Sequence, residues 1–119
     1  MAEFDLNVVS VQFTIGDVSS AGQTYIPISS ETAGEIVEIR TALGGAISGA
    51  NAGLTAKING TAVTGGTIAI AHAGSAAGDI DSCAPTAANV VVEGDNLEIE
   101  TDGASTGAQE VTGIVKIRR

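Results

Sequence analysis

The sequence predicts an all-β fold: an antiparallel β-sandwich, jelly-roll-like, as a single domain with an extended N-terminal arm. Three observations carry that prediction. Val and Ile dominate the large apolar residues, with Leu scarce and only Phe4, Phe13 and Tyr25 as aromatics, a β-branched bias that favours strands over helices. Apolar residues alternate with polar ones at a period of two over short runs. Those runs, about eight of them, are regularly spaced and punctuated by Gly, as in sandwiches and jelly rolls.

At 119 residues the chain is long enough to bury one core without metal or disulfides. Phe4, Leu6 and Val8 alternate in one phase, and Val9, Val11, Phe13 and Ile15 in the other. A single strand cannot bury both sets on one face. The slip therefore predicts either a bulge at Val8/Val9, or an arm over residues 1–8 joined to a sandwich domain over 9–119. Gly16-Asp17 ends this strand, and Val18 to Thr24 reads as a small, polar loop. Tyr25-Ile26-Pro27-Ile28 is a short strand, placed at a sheet edge by Pro27, which cannot donate to a central ladder.

Ser29 to Leu43 supports two readings. Ser30 could cap a helix, and Ile36, Ile39 and Leu43 have helical spacing. Arg40 falls on that helical face, however, Gly34 interrupts its first turn, and Val37, Ile39, Thr41 and Leu43 alternate as a strand does. The strand is favoured. Gly44-Gly45 turns, Ala46-Ile47-Ser48 is briefly extended, and a small-residue loop leads into the most legible stretch of the chain.

In that stretch Leu54, Ala56 and Ile58 point one way and Thr55 and Lys57 the other, and Asn59-Gly60 supplies the positive-φ pair of a tight hairpin. Thr61, Ala62 and Val63 carry the return. Gly65-Gly66 is expected to break it, leaving Ile68 and Ile70 in one more short strand. Ala71 to Ala88 is either a surface loop or a loop with a weak strand near Ile80. Asn89 to Val92 is extended, Leu97 and Ile99 alternate with Glu98 and Glu100, and the last strand sets Val111, Gly113, Val115 and Ile117 on one side.

The formal charge is −9, from 14 acidic and 5 basic residues, which argues against a nucleic-acid partner because phosphate contacts need a basic face. No run approaches the roughly 20 apolar residues of a membrane helix. Mean hydropathy is nonetheless positive, so some apolar surface is expected to be buried between subunits. Lys116, Arg118 and Arg119 close the chain, either as a solvated tail blunting an edge strand or as an anchor for an acidic partner. Acidic residues in Met1-Ala2-Glu3-Phe4-Asp5 predict no export by the usual route, and the single Cys83 fits a reducing compartment.

No set of residues announces catalysis, a cofactor or a metal. His72 and Cys83 are the only residues of their kinds, and a Cys-His nucleophile pair would need them in contact with an orienting third group. Asp79 and Asp81 alternate as in calcium loops but lack the distal ligands. Glu98 and Glu100 read as a wet strand face, and Asp95 and Asp102, each beside Gly, as turn formers. Asn59-Gly60-Thr61 matches a glycosylation sequon, yet Asn-Gly is explained by the turn. Gly44-Gly45 and Gly65-Gly66 precede neither a helix start nor a Lys, so neither reads as a phosphate loop.

Ala46 to Ala52, Lys57-Ile58-Asn59-Gly60-Thr61-Ala62-Val63-Thr64-Gly65-Gly66-Thr67-Ile68, Gly74 to Asp79, Asn89 to Asp95 and Thr101-Asp102-Gly103 together resemble head decoration, or cement, proteins of tailed bacteriophages. The resemblance covers about residues 35–117. It implies a non-enzymatic virion protein, made in the host bacterial cytoplasm and bound as an oligomer, usually a trimer, to the major capsid protein on the outer capsid surface. An arm contacting the shell would be Ala2, Glu3, Phe4, Asp5, Leu6, Asn7 and Val8, adding a strand or an apolar plug. Full burial of Phe4, Leu6 and Val8 would contribute about 1.5–3 kcal/mol each before ordering costs. The alternative is a phage tail or fibre module that binds a host-surface receptor through the polar 71–88 segment.

Overall fold

The computed structural model describes residues 7–119, none of them helical. In chain order the strands are β1 (Val8–Ile15), β2 (Gly22–Pro27), β3 (Gly34–Leu43), β4 (Ala52–Ile58), β5 (Thr61–Ile70), β6 (Ile80–Cys83), β7 (Val90–Val91), β8 (Asn96–Thr101) and β9 (Val111–Arg118).

Their pairing is that of one long antiparallel ribbon. At its tip β4 and β5 form the Asn59-Gly60 hairpin, with φ of 50° and 86° at the two turn residues. Moving outward from the tip, β3 pairs with β6 and β7, β2 with β8, and β1 with β9. The ribbon then rolls over, so that β9 also pairs with β3 and β8 with β4. One sheet has the order β1-β9-β3-β6, with β7 also on β3, and the other β2-β8-β4-β5. This is jelly-roll connectivity, and the two sheets pack as a sandwich.

The core lies between the sheets. From β9 come Val111, Val115 and Ile117, and from β8 Leu97, all 0 % exposed. Val9, Val11, Phe13 and Ile15 all face inward from β1, and its register with β9 runs unbroken from Val8 to Ile15. Val8 falls on the opposite, outer face. The phase slip is thus met by turning Val8 outward, and no bulge forms there. Ala2 to Leu6 of the candidate arm lie outside the described residues. Asn7 lies within them, and its carbonyl accepts a bond from the Arg119 amide at 2.6 Å.

Several expectations change with the pairing. Val18, read as part of a polar loop, is wholly buried. β2 begins at Gly22, inside that expected loop, though it does lie at a sheet edge as Pro27 requires. Gly65-Gly66 does not end a strand. β5 runs through it with a wide bulge opposite Thr55–Lys57, and this bulge lets both Val63 and Ile68 face inward although five residues apart in sequence. The basic C-terminus does not blunt an edge, because β9 lies between β1 and β3.

β3 is a strand with a bulge between Ile36 and Glu38. That irregularity carries Ile36 into the core at 0 % exposure in place of Val37. Buried Asn89 holds it: its Nδ2 donates to the Ile36 carbonyl at 2.7 Å, and its own carbonyl accepts the Ile36 amide at 2.8 Å.

Candidate functional site

The side chains able to do chemistry are built into turns and ladders. Asp95 closes the turn before β8: one carboxylate oxygen accepts the Val92 amide at 2.9 Å and the other the Asn59 side-chain amide at 2.9 Å. These bonds, the backbone one foremost, hold its carboxyl below the usual aspartate range. Asn59 Oδ1 also accepts the Asn96 amide, so both polar ends of the sequon asparagine serve the turn. Asp102 Oδ1 accepts the amides of Gly53 and Ala104.

Glu100 lies on the outer face of β8. Gln23 Nε2 donates to it at 3.1 Å and Lys57 Nζ lies 3.1 Å from it, and these two neighbours lower its pKa in that order. On the outer face of the other sheet Glu38 bridges Arg40 at 2.9 Å and Lys116 at 3.2 Å. The Arg40 bond is the main reason its carboxyl is held low. Exposed pairs of this kind add little to stability, because water and salt screen them. Lys116 is thereby engaged within the sheet, and Arg119 donates from its guanidinium to the Glu31 carbonyl at 3.1 Å.

His72 and Cys83 have separate neighbours. His72 Nδ1 lies 2.8 Å from Asn51 Oδ1, to which the His72 backbone amide also donates. Cys83 sits in β6 opposite Ile39. Burial pushes its thiol up, an effect the nearby Glu38 charge reinforces, so the thiolate that a nucleophile needs is disfavoured. Asp79 Oδ2 accepts the Ala76 amide, closing a turn. Among the described residues no three His, Cys, Asp or Glu side chains gather as metal ligands.

Asp81 differs from the other acids. Burial, reinforced by the Asp79 charge, raises its pKa. The folded state therefore holds the Asp81 proton more tightly than the unfolded chain, and stability falls as pH rises from the unfolded value to the raised folded one. Asp81→Asn removes this loss. We expect its melting temperature to exceed the wild-type value at pH ~7 and to match it at pH ~3, below the ordinary aspartate pKa of about 3.9. Thermal melts across that range check it, and an equal offset at both pH values would exclude Asp81 titration as the cause.

What the body offers is surface. Tyr25, Ile80, Val90 and Val92 stand 56–61 % exposed. On the outer face of the β1-β9-β3-β6 sheet a shallow hollow of about 180 Å³ is lined by Arg40, Ala42, Ile80, Thr112 and Ile114. No family model and no curated protein matches the chain. The geometry itself is therefore what bears on function. Sequence reasoning did not single out the residues of this hollow. The available signal was phase: Ile114 is apolar at a wet position of β9, between Thr112 and Lys116.

Proposed function

We propose that this chain is a non-enzymatic structural protein of a phage virion, binding the outer surface of the mature capsid as an oligomer and stabilising the shell. The observation that supports it best is the division of labour just described. Reactive side chains are held in structural bonds, while large apolar ones stand on the surface of a jelly roll, an architecture used by viral capsid proteins. The resemblance of residues 35–117 to decoration proteins points the same way.

Such a protein works by mass action. Binding only the expanded lattice stabilises it by RT ln(1 + [L]/Kd) per site, around 3–4 kcal/mol at 100 to 1,000 times Kd. Repeated over the shell, that resists internal pressure. The segment Ala2 to Val8 is the proposed capsid contact. The test removes residues 1–6, which keeps the Asn7 carbonyl that the Arg119 amide uses. We expect an unchanged circular dichroism spectrum and loss of cosedimentation with expanded heads. Retained cosedimentation would remove the arm from the proposal. Failure of the full-length chain to bind heads, with binding to host cells instead, would favour the tail or fibre module.

A further inference from the structure

A jelly roll has four sheet edges, and here three are protected. β2 carries Pro27. β5 is bent by its wide bulge and bridged at Thr64 to Ala87. The opposite edge of the first sheet is made of β6 and β7, only four and two residues long. β1 has none of these devices. It is eight residues long, regular in register, and free of Pro and of charge in a chain of net charge −9. An edge of this kind is a template for another strand.

The free groups can be assigned. Because the Arg119 amide bonds the Asn7 carbonyl, alternation along the antiparallel ladder commits Val9, Val11, Phe13 and Ile15 to β9. Val8, Ser10, Gln12 and Thr14 therefore turn their N–H and C=O groups outward, and among the described residues no strand meets them. We propose that β1 pairs antiparallel with β1 of a second copy about a two-fold axis at Val11, joining two sheets into one.

In this register Val8 faces the second copy's Thr14, and Ser10 its Gln12, so all four outward residues of each copy bond. The inward side chains match as well. Val9 meets Phe13, a favourable aromatic–β-branched pair, and Val11 meets itself. Val9 and Val11 are only partly buried in the single copy, and the second strand completes their cover. No like charges meet along the seam. Antiparallel order also sets the end of the β1–β9 ribbon bearing Lys116, Arg118 and Arg119 beside the second copy's end bearing Asp17 and Glu110, whereas parallel order would set basic beside basic. The pairing stands independently of capsid binding, and it gives a dimer where the family resemblance implies a trimer.

The test is the mass in solution by sedimentation equilibrium. The wild type should weigh twice its 11.7 kDa. Ser10→Lys with Gln12→Lys, both at exposed side chains, places Lys opposite Lys twice and should raise the dissociation constant roughly tenfold or more. Ser10→Lys with Gln12→Glu places Lys opposite Glu in the same register and should restore the dimer. Amide exchange at Ser10, Gln12 and Thr14 should be slow in the wild-type dimer, a readout that needs no variant to fold. A monomeric wild type, a trimer, an oligomer indifferent to the double-Lys change, failure of the Lys/Glu pair to restore it, or fast exchange at those three amides would each overturn the pairing.

Discussion

Gly34→Ala should lower the melting temperature by about 10 °C or more, the largest effect expected of any single methyl group in this protein. Gly34 begins β3 where β7 and β9 converge on it, opposite Val91 and close to Arg118. Its φ is +155°, and an added Cβ would overlap the Arg118 carbonyl oxygen, with the carbonyl carbon at 2.9 Å. Those are backbone atoms of a central strand, so they cannot swing aside as a side chain could. Strained backbone and forced displacement together cost on the order of 3 kcal/mol, and each kcal/mol is worth about 4 °C in a domain of this size. Thermal unfolding followed by circular dichroism measures it. A loss of only 2 or 3 °C would mean that β9 yields at its C-terminal end, contrary to the burial of Ile117 beside it.

Gly113→Ala should be nearly as damaging, and its cost should depend on Phe13. The two residues are paired across β1 and β9, and the Phe13 ring lies over the space that a Gly113 side chain would take. An added Cβ overlaps its Cζ and comes within 2.5 and 2.8 Å of Cε1 and Cε2. The ring, 5 % exposed in the wild type, would have to leave its place in the core, at about 1–3 kcal/mol. Phe13→Leu shortens that side chain and frees the space. The double variant should therefore be more stable than the sum of the single changes by about 1–2 kcal/mol, a coupling that urea titrations of the four proteins can read. Strict additivity would mean that the ring moves aside freely, and that Gly113 is there for some reason other than space.

Both glycines were visible in the sequence, but their roles were not. Gly113 sits in strict alternation with Val111, Val115 and Ile117, which marks it as inward-facing and nothing more. Only the β1–β9 register sets it opposite the Phe13 ring. β3 illustrates a second limit. Its apolar residues Ile36, Ile39 and Leu43 follow helical spacing because a bulge between Ile36 and Glu38 adds one residue to a strand period, and a bulged strand and a helix turn share that offset. Gly34 and Arg40 tipped the reading to a strand, yet they could not show that Ile36 would replace Val37 inside.

The candidate site divides along similar lines. The turn roles of Asp95, Asp102 and Asn59 were legible, because Asx side chains bond amides close by in space and beside Gly. The apolar hollow around Ile80 and Ile114 was not, since it unites the outer faces of β3, β6 and β9.

The sequence by itself determined the all-β class, the Asn59-Gly60 hairpin at the tip of the ribbon, the edge position of β2 and the inward residues of β8 and β9. Each follows from local forces: period-two burial, the positive-φ demand of a tight turn and the missing donor of Pro27. The tertiary structure alone decided how the ribbon rolls, where bulges absorb a mismatch of phase, that the basic C-terminus lies within a sheet and that β1, among the described residues, is left as an edge without a second strand. Those depend on pairing between segments as distant as Val8 and Arg118, where the geometry of each strand is set by a partner that its own residues do not specify.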